Sequence, residues 1–388
     1  MIDYVIEFGK NSFIDEPLND IDAVVLSQLA YMDFAYLQTE KITSIAQMNE
    51  RQIQTVIENT WRANQNAELL RVMQRSVRFG SLNWHDWVER QDIEAEEQFS
   101  AVTFDLLTNL SFIAYRGTTA TLTDWKEDFN LTFMPEIPSQ QAALKYYQKM
   151  HRHYPGKYYL GGHSKGGNLA VYTLVHSHAS RREDILAAYS VDGPGLNETI
   201  PDYCIDRVHK LIPEASVIGL LLEPESSYQV VQSDSFGFNQ HDPHSWATRG
   251  HEFVLATSTT SLSKYTQASI TRWLESIDDA TRGEFLNSIF DLFEATDDDR
   301  LSELAKNWPV NFRIMMKAIS DSNPETRQRW KDVTDKLFGA MTDEAKLRVT
   351  SRWQQSIASI PKLNVPQPSK LLIEKLKQTE NKKSQKYF

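Results

Sequence analysis

With 388 residues, 41% of them hydrophobic and 24% charged, the chain exceeds what one hydrophobic core usually serves and has the composition of a soluble globular protein. A formal net charge of −11 argues against non-specific binding to nucleic acid, which needs a basic surface. The single cysteine, Cys204, excludes an internal disulfide framework and a thiolate metal cluster, and it fits a reducing, cytoplasmic setting.

The N-terminal stretch "MIDYVIEFGKNSF" lacks a basic region followed by an apolar one, so it does not read as a signal peptide. No apolar run reaches the roughly 18–20 residues of a membrane span. Residues 1–100 read as mostly helical. "NDIDAVVLSQLAYMDF" offers Asn19 or Asp20 as a cap, then Val25, Leu29 and Met32 at helical spacing. The polar stretch from about 44 to 98 reads as helices and loops decorating a core.

At 105–119 the pattern changes. Leu110, Phe112, Ile113, Ala114 and Tyr115 form a short apolar run ended by Arg116-Gly117, as a buried strand requires. A helix follows from near Ser139 to before Pro155-Gly156, then the strand "KYYLGG", a turn, and a helix over about 165–178. "DILAAYSVDGPG" supplies another strand, and "RVHKLIPEASVIGLLLE" and "SYQVVQS" read as two more. Strands alternating with helices predict a mostly parallel sheet covered on both faces.

Beyond about residue 256 the strand signal vanishes. Phe285, Ile289, Leu292 and Phe293 line one face of a helix, and Ser322-Asn323-Pro324-Glu325 and Thr342-Asp343-Glu344 resemble helix starts. The expected organisation is a main domain over 1–255, a helical appendage over 256–358 and a flexible basic tail over 359–388. The tail's lysines among Leu and Ile suggest weak association with an acidic surface.

The chemistry centres on Gly162-His163-Ser164-Lys165-Gly166, a G-x-S-x-G match between a strand and a small-residue helix. Such a turn lifts the serine oxygen above the sheet edge. The helix behind it presents free N–H groups where negative charge develops. His241 and His244 follow the last predicted strand, where a general base belongs. His151/His153 and His176/His178, spaced i, i+2, do not share a helical face. Chain order requires an acid between serine and histidine. Asp192, at a strand end, meets that order; Glu214 and Asp234 are the alternatives.

"SFIAYRGTT", the downstream Asp124-Trp125, and "GGHSKGGNLA" resemble the class 3 (fungal-type) lipases, which carry an apolar strand, R-G-[ST], D-W and then G-H-S-x-G-G. The chain is also similar to a bacterial branch of that superfamily in which "GGHSKGGNLA", "DGPG" and "QHDPxSW" recur. The resemblance spans roughly residues 15–250. It implies an α/β-hydrolase fold and a serine hydrolase of esters or thioesters, with an inactive binding module or a peptidase on the same fold as alternatives. By position it implies His241 as base, and Thr118 and Lys165 as backbone donors of an oxyanion hole. Asp124 and Trp125 would brace the loop after Thr118. The lipases usually take their acid one strand later, near Ser216 here. A lysine directly after the nucleophile suggests a smaller or anionic acyl substrate. No metal or organic cofactor is implied, and the expected partner is a small acyl substrate.

Overall fold

The computed structural model describes residues 1–92, 97–118, 131, 134, 136–222 and 228–275. Asp124, Trp125, the helices expected around Phe285 and the basic tail lie outside the described residues.

Five helices open the chain: α1 (Ile2–Phe8), α2 (Asp20–Leu29), α3 (Phe34–Thr39), α4 (Glu50–Ile57) and α5 (Ala63–Gln74). The start of α2 falls where the sequence places it. Asn19 accepts from the Asp22 N–H, and the Asp22 carboxylate accepts from the Asn19 N–H, so each satisfies a donor the helix leaves open.

Seven strands then form one sheet in chain order: β1 (Asn83–Asp92), β2 (Glu97–Leu107), β3 (Leu110–Tyr115), β4 (Lys157–His163), β5 (Ile185–Val191), β6 (Val208–Pro213) and β7 (Tyr228–Val231). The pairs β1–β2 and β2–β3 are antiparallel, and β3 through β7 are parallel. The expectation of a helical chain up to residue 100 therefore fails after α5. β1 is the edge strand, and its exposed end, Glu89-Arg90-Gln91-Asp92, carries the charge that blunts an edge and disguises a strand in sequence. The run over 105–119 also holds a hairpin, turned at Thr108-Asn109 with Asn109 in the left-handed region (φ 62°). The long run from Arg207 keeps only β6, which stops at Pro213.

Strand order explains the layers. The parallel strands advance in one direction, so right-handed crossovers place their helices on one face. α6 (Pro138–His153) and α7 (Lys165–His176) lie there, packing Tyr147, Met150, Leu169 and Leu174 with Ile113, Tyr115 and Leu160. The opposite face would be bare without the N-terminal helices. Val24, Leu26, Leu29 and Leu70 bury it with Phe112, Ala114 and Tyr189. Alternation along β3 sends its residues to the two faces in turn.

One buried ion pair locks the N-terminal layer. Arg78 Nε donates to Asp22 Oδ1 at 2.8 Å, and both side chains are fully buried. The guanidinium also donates to the carbonyls of Ser12, Glu16 and Pro17, so its remaining N–H groups are used. After β7, a small hairpin (Thr248–Arg249 with Glu252–Phe253) leads to α8 (Ser261–Glu275). The start of α8 touches the sheet's loops: Thr260 N–H donates to Glu214 O at 2.7 Å. Among the described residues, no helix is long and apolar enough to cross a membrane.

Candidate active site

Ser164 stands between β4 and α7 with φ 56° and ψ −130°, a conformation unfavourable to a residue with a Cβ. Its N–H donates to Val191 O and its carbonyl accepts from Gly167 N–H, both at 2.9 Å, so the backbone is held on both sides. The glycines follow from close approach. A Cβ on Gly166 would stand 2.1 Å from Tyr115 O, and one on Gly162 would stand 2.4 Å from the Gly166 carbonyl carbon. The turn after β3 lies against this elbow, since a Cβ on Gly117 would come 3.2 Å from Ser164 Cβ and 2.5 Å from the Tyr31 hydroxyl. Thr118 is the next residue. Arg116 anchors the turn, its N–H donating to Ser100 O at 2.9 Å and its side chain pairing with Glu89 at 2.6 Å.

At the end of β5, Asp192 adopts a left-handed backbone (φ 46°) and its side chain is 1% exposed. Its Oδ2 lies 2.6 Å from His241 Nδ1, while Oδ1 accepts from Ser216 Oγ at 2.5 Å. A carboxylate can only accept, so His241 Nδ1 carries the proton in this bond. Ser216, near the place where the resemblance puts the acid, instead supplies a hydrogen bond to Asp192. Its Oγ in turn accepts from Gly219 N–H at 3.0 Å. The structure therefore brings Asp192 to His241. Glu214 is half-buried beside α8, and Asp234 is exposed, its N–H on Ser245 O at 2.9 Å.

The polar side chains around His241 in "QHDPHSW" fix the loop that carries it. Gln240 accepts from Ala215 N–H at 2.7 Å and donates to Ser235 O at 2.9 Å. Asp242 caps the next turn through His244 N–H and forms an ion pair with Arg62 at 2.9 Å. Burial raises the Asp242 carboxyl above its ordinary range, with the His244 N–H and Arg62 opposing. His244 Nε2 meets Asn66 Oδ1 at 2.8 Å, and burial, the Met1 amine and Arg62 push its imidazole down to about 4. His244 thus serves the N-terminal layer and His241 the buried carboxylate. Trp246 Nε1 donates back to Gln240 O at 2.8 Å.

Two positions depart from expectation. Lys165 does not place its ammonium at a substrate mouth: its side chain is buried, and Nζ donates to Gln98 O at 3.1 Å on β2. The expectation of a smaller or anionic acyl substrate, which rested on an ammonium at the site's mouth, loses its basis. His163, which the motif places directly before the serine and to which sequence reasoning gave no role, is buried with its ring centroid 4.4 Å from that of His241. Sequence reasoning also missed Tyr31, Arg62 and Asn66, which belong to no motif, and the part Ser216 plays at Asp192. Trp61, half exposed, flanks the site with its ring 6.4 Å from that of His241.

A mostly parallel sheet between two helical layers, with a strained serine at a strand–helix elbow and a buried Asp–His pair beyond β5, is an α/β-hydrolase fold. A family model described as Mbeg1-like matches residues 73–291, and the chain belongs to that family. Among solved structures, it is similar to "M37 lipase" at 13% identity and TM-score 0.32, covering 52% of this chain and 69% of the other. It is similar to lipase II from Rhizopus niveus at 12% identity and TM-score 0.34, covering 55% and 78%. A fungal lipase–inhibitor complex aligns at 11% identity and TM-score 0.37, covering 62% and 84%. No curated protein matches the chain.

Proposed function

We propose that the chain is a serine hydrolase that cleaves a carboxylic ester or thioester through an acyl-enzyme on Ser164. The observation that carries this reading is the 2.6 Å bond from His241 to the buried Asp192, formed beside a serine held at a strained elbow. With Nδ1–H directed at Asp192, His241 Nε2 takes the Ser164 proton as Oγ attacks the acyl carbon. The backbone N–H groups of Thr118 and Lys165 hold the oxyanion. Collapse breaks the bond to the alcohol or thiol, which leaves with the proton from His241. Water, deprotonated by the same imidazole, then releases the acid and restores Ser164.

A fluorophosphonate probe and a panel of p-nitrophenyl esters and acyl thioesters of graded length test this. Wild-type protein labels and turns over, and Ser164→Ala loses both with an unchanged circular dichroism spectrum. Undiminished labelling of the alanine variant overturns the assignment. A wild-type protein inert toward the probe and the whole panel points to a binding module instead.

A further inference from the structure

His163 Nε2 lies 2.8 Å from the backbone carbonyl oxygen of His241. A carbonyl only accepts, so Nε2 carries the proton and donates. Burial and the neighbouring His241 hold the His163 imidazole well below its ordinary range, so the ring is neutral and its Nδ1 is bare. The Tyr31 hydroxyl lies 3.2 Å from that Nδ1, closer than its 3.5 Å approach to His163 O. Tyr31 O–H therefore donates to the ring whose other nitrogen donates to the His241 backbone.

We infer that His163 and Tyr31 are positioning residues that hold His241 against the nucleophile elbow. The inference rests on the roles given above to Ser164, His241 and Asp192. Asp192 fixes the ring of His241 from one side, and His163 fixes its backbone from the other. Because His163 directly precedes Ser164, this one bond ties the base's loop to the nucleophile's own turn. The bond thereby adds a direct tie between base and nucleophile to the contacts that hold the loop. Tyr31 follows α2 closely, so the N-terminal layer secures the tautomer that makes the bond possible. A charged His163 so close to His241 would oppose the imidazolium formed during attack. A neutral ring makes the same bond without that repulsion.

His163→Leu removes the donor, His163→Gln offers an amide N–H in its place, and Tyr31→Phe removes only the hydroxyl. On the best ester found, His163→Leu should lower kcat about 100-fold, as a misplaced base does, with KM within about threefold. His163→Gln should recover at least about tenfold of that loss, and Tyr31→Phe should cost about tenfold. A second readout needs no turnover: the downfield proton resonance of His241 Nδ1–H, held by Asp192, should persist in wild type and His163→Gln and broaden away in His163→Leu. Wild-type kcat, or an unchanged resonance, in a folded His163→Leu overturns the inference. So does a glutamine variant no better than leucine. A wild-type protein that keeps the resonance but is inert toward every ester and the probe fails the hydrolase reading alone.

Discussion

A carboxylate bonded through both oxygens and shut away from water has little freedom to serve any other partner, and Asp192 is in that position. Ser216 occupies one oxygen and His241 the other. Asp192→Asn would replace one acceptor by an N–H₂ group, which can satisfy Ser216 or His241 but not both in their present protonation. The flip that suits Ser216 as a donor turns the N–H₂ group toward His241 Nδ1 and would reverse its tautomer. We expect kcat to fall about 10⁴-fold with the fold intact, as when a triad acid is lost. Glu214→Gln and Asp234→Asn should stay within about threefold. The three kcat values on one ester decide; a drop confined to Glu214→Gln or Asp234→Asn moves the acid. At this scale the sequence is informative where chemistry imposes order. Ser164 announces itself by its glycines, and Asp192 by following a strand between serine and histidine. The roles of Tyr31, His163 and Ser216 are invisible because a hydrogen bond to a distant side chain or carbonyl leaves no local pattern.

Elements need anchors that packing alone does not supply, and α2 has one in Arg78. Charges taken out of water are costly unless fully paired, and the Arg78 N–H groups find Asp22 and four loop carbonyls. Phe13 completes the enclosure, its ring centroid 3.9 Å from the guanidinium carbon. Arg78→Met keeps bulk but strands Asp22 in the interior. We expect a loss of about 3–5 kcal/mol in unfolding free energy, measured by urea titration. Adding Asp22→Leu should return a good part of it, since the stranded charge is then gone. A single variant within 1 kcal/mol of wild type would refute the lock. Periodicity reveals α2 and its cap, yet it gives no sign that residue 78 closes the loop before it. β1 was illegible for a related reason: an edge strand half in water is written in the same polar residues as a surface helix.

Among the described residues, the crossover helices lie on one face of the sheet, and its other face is covered by the helices that precede it. That arrangement is legible only in part. The alternation of strands and helices shows the parallel sheet, but strand order, which decides where the helices fall, is not a local property. The N-terminal layer is thus both cover and partner: it sends Tyr31 to His163, Arg62 to Asp242 and Asn66 to His244. Two of these contacts meet histidines held neutral by burial, with a consequence for the stability of the entire fold. In the unfolded chain His163 and His244 protonate near their ordinary value of 6.5; in the folded chain His244 does so only at about 4 and His163 well below its ordinary value. The unfolded state therefore binds more protons as pH falls below about 6.5, so stability is full above that value and declines through the window down to about 4. His244 alone accounts for about 3 kcal/mol of the decline, and His163 adds to it in the same direction. The raised Asp242 carboxyl acts oppositely, but it binds its extra proton only between its folded value and 3.8, toward the acid end. Urea unfolding at about pH 7.5, 6 and 4.5 should show a falling free energy, and His244→Asn, which cannot titrate, should flatten the slope. A wild-type curve level from pH 7.5 to 4.5 would mean that neither imidazole is held neutral in the folded protein.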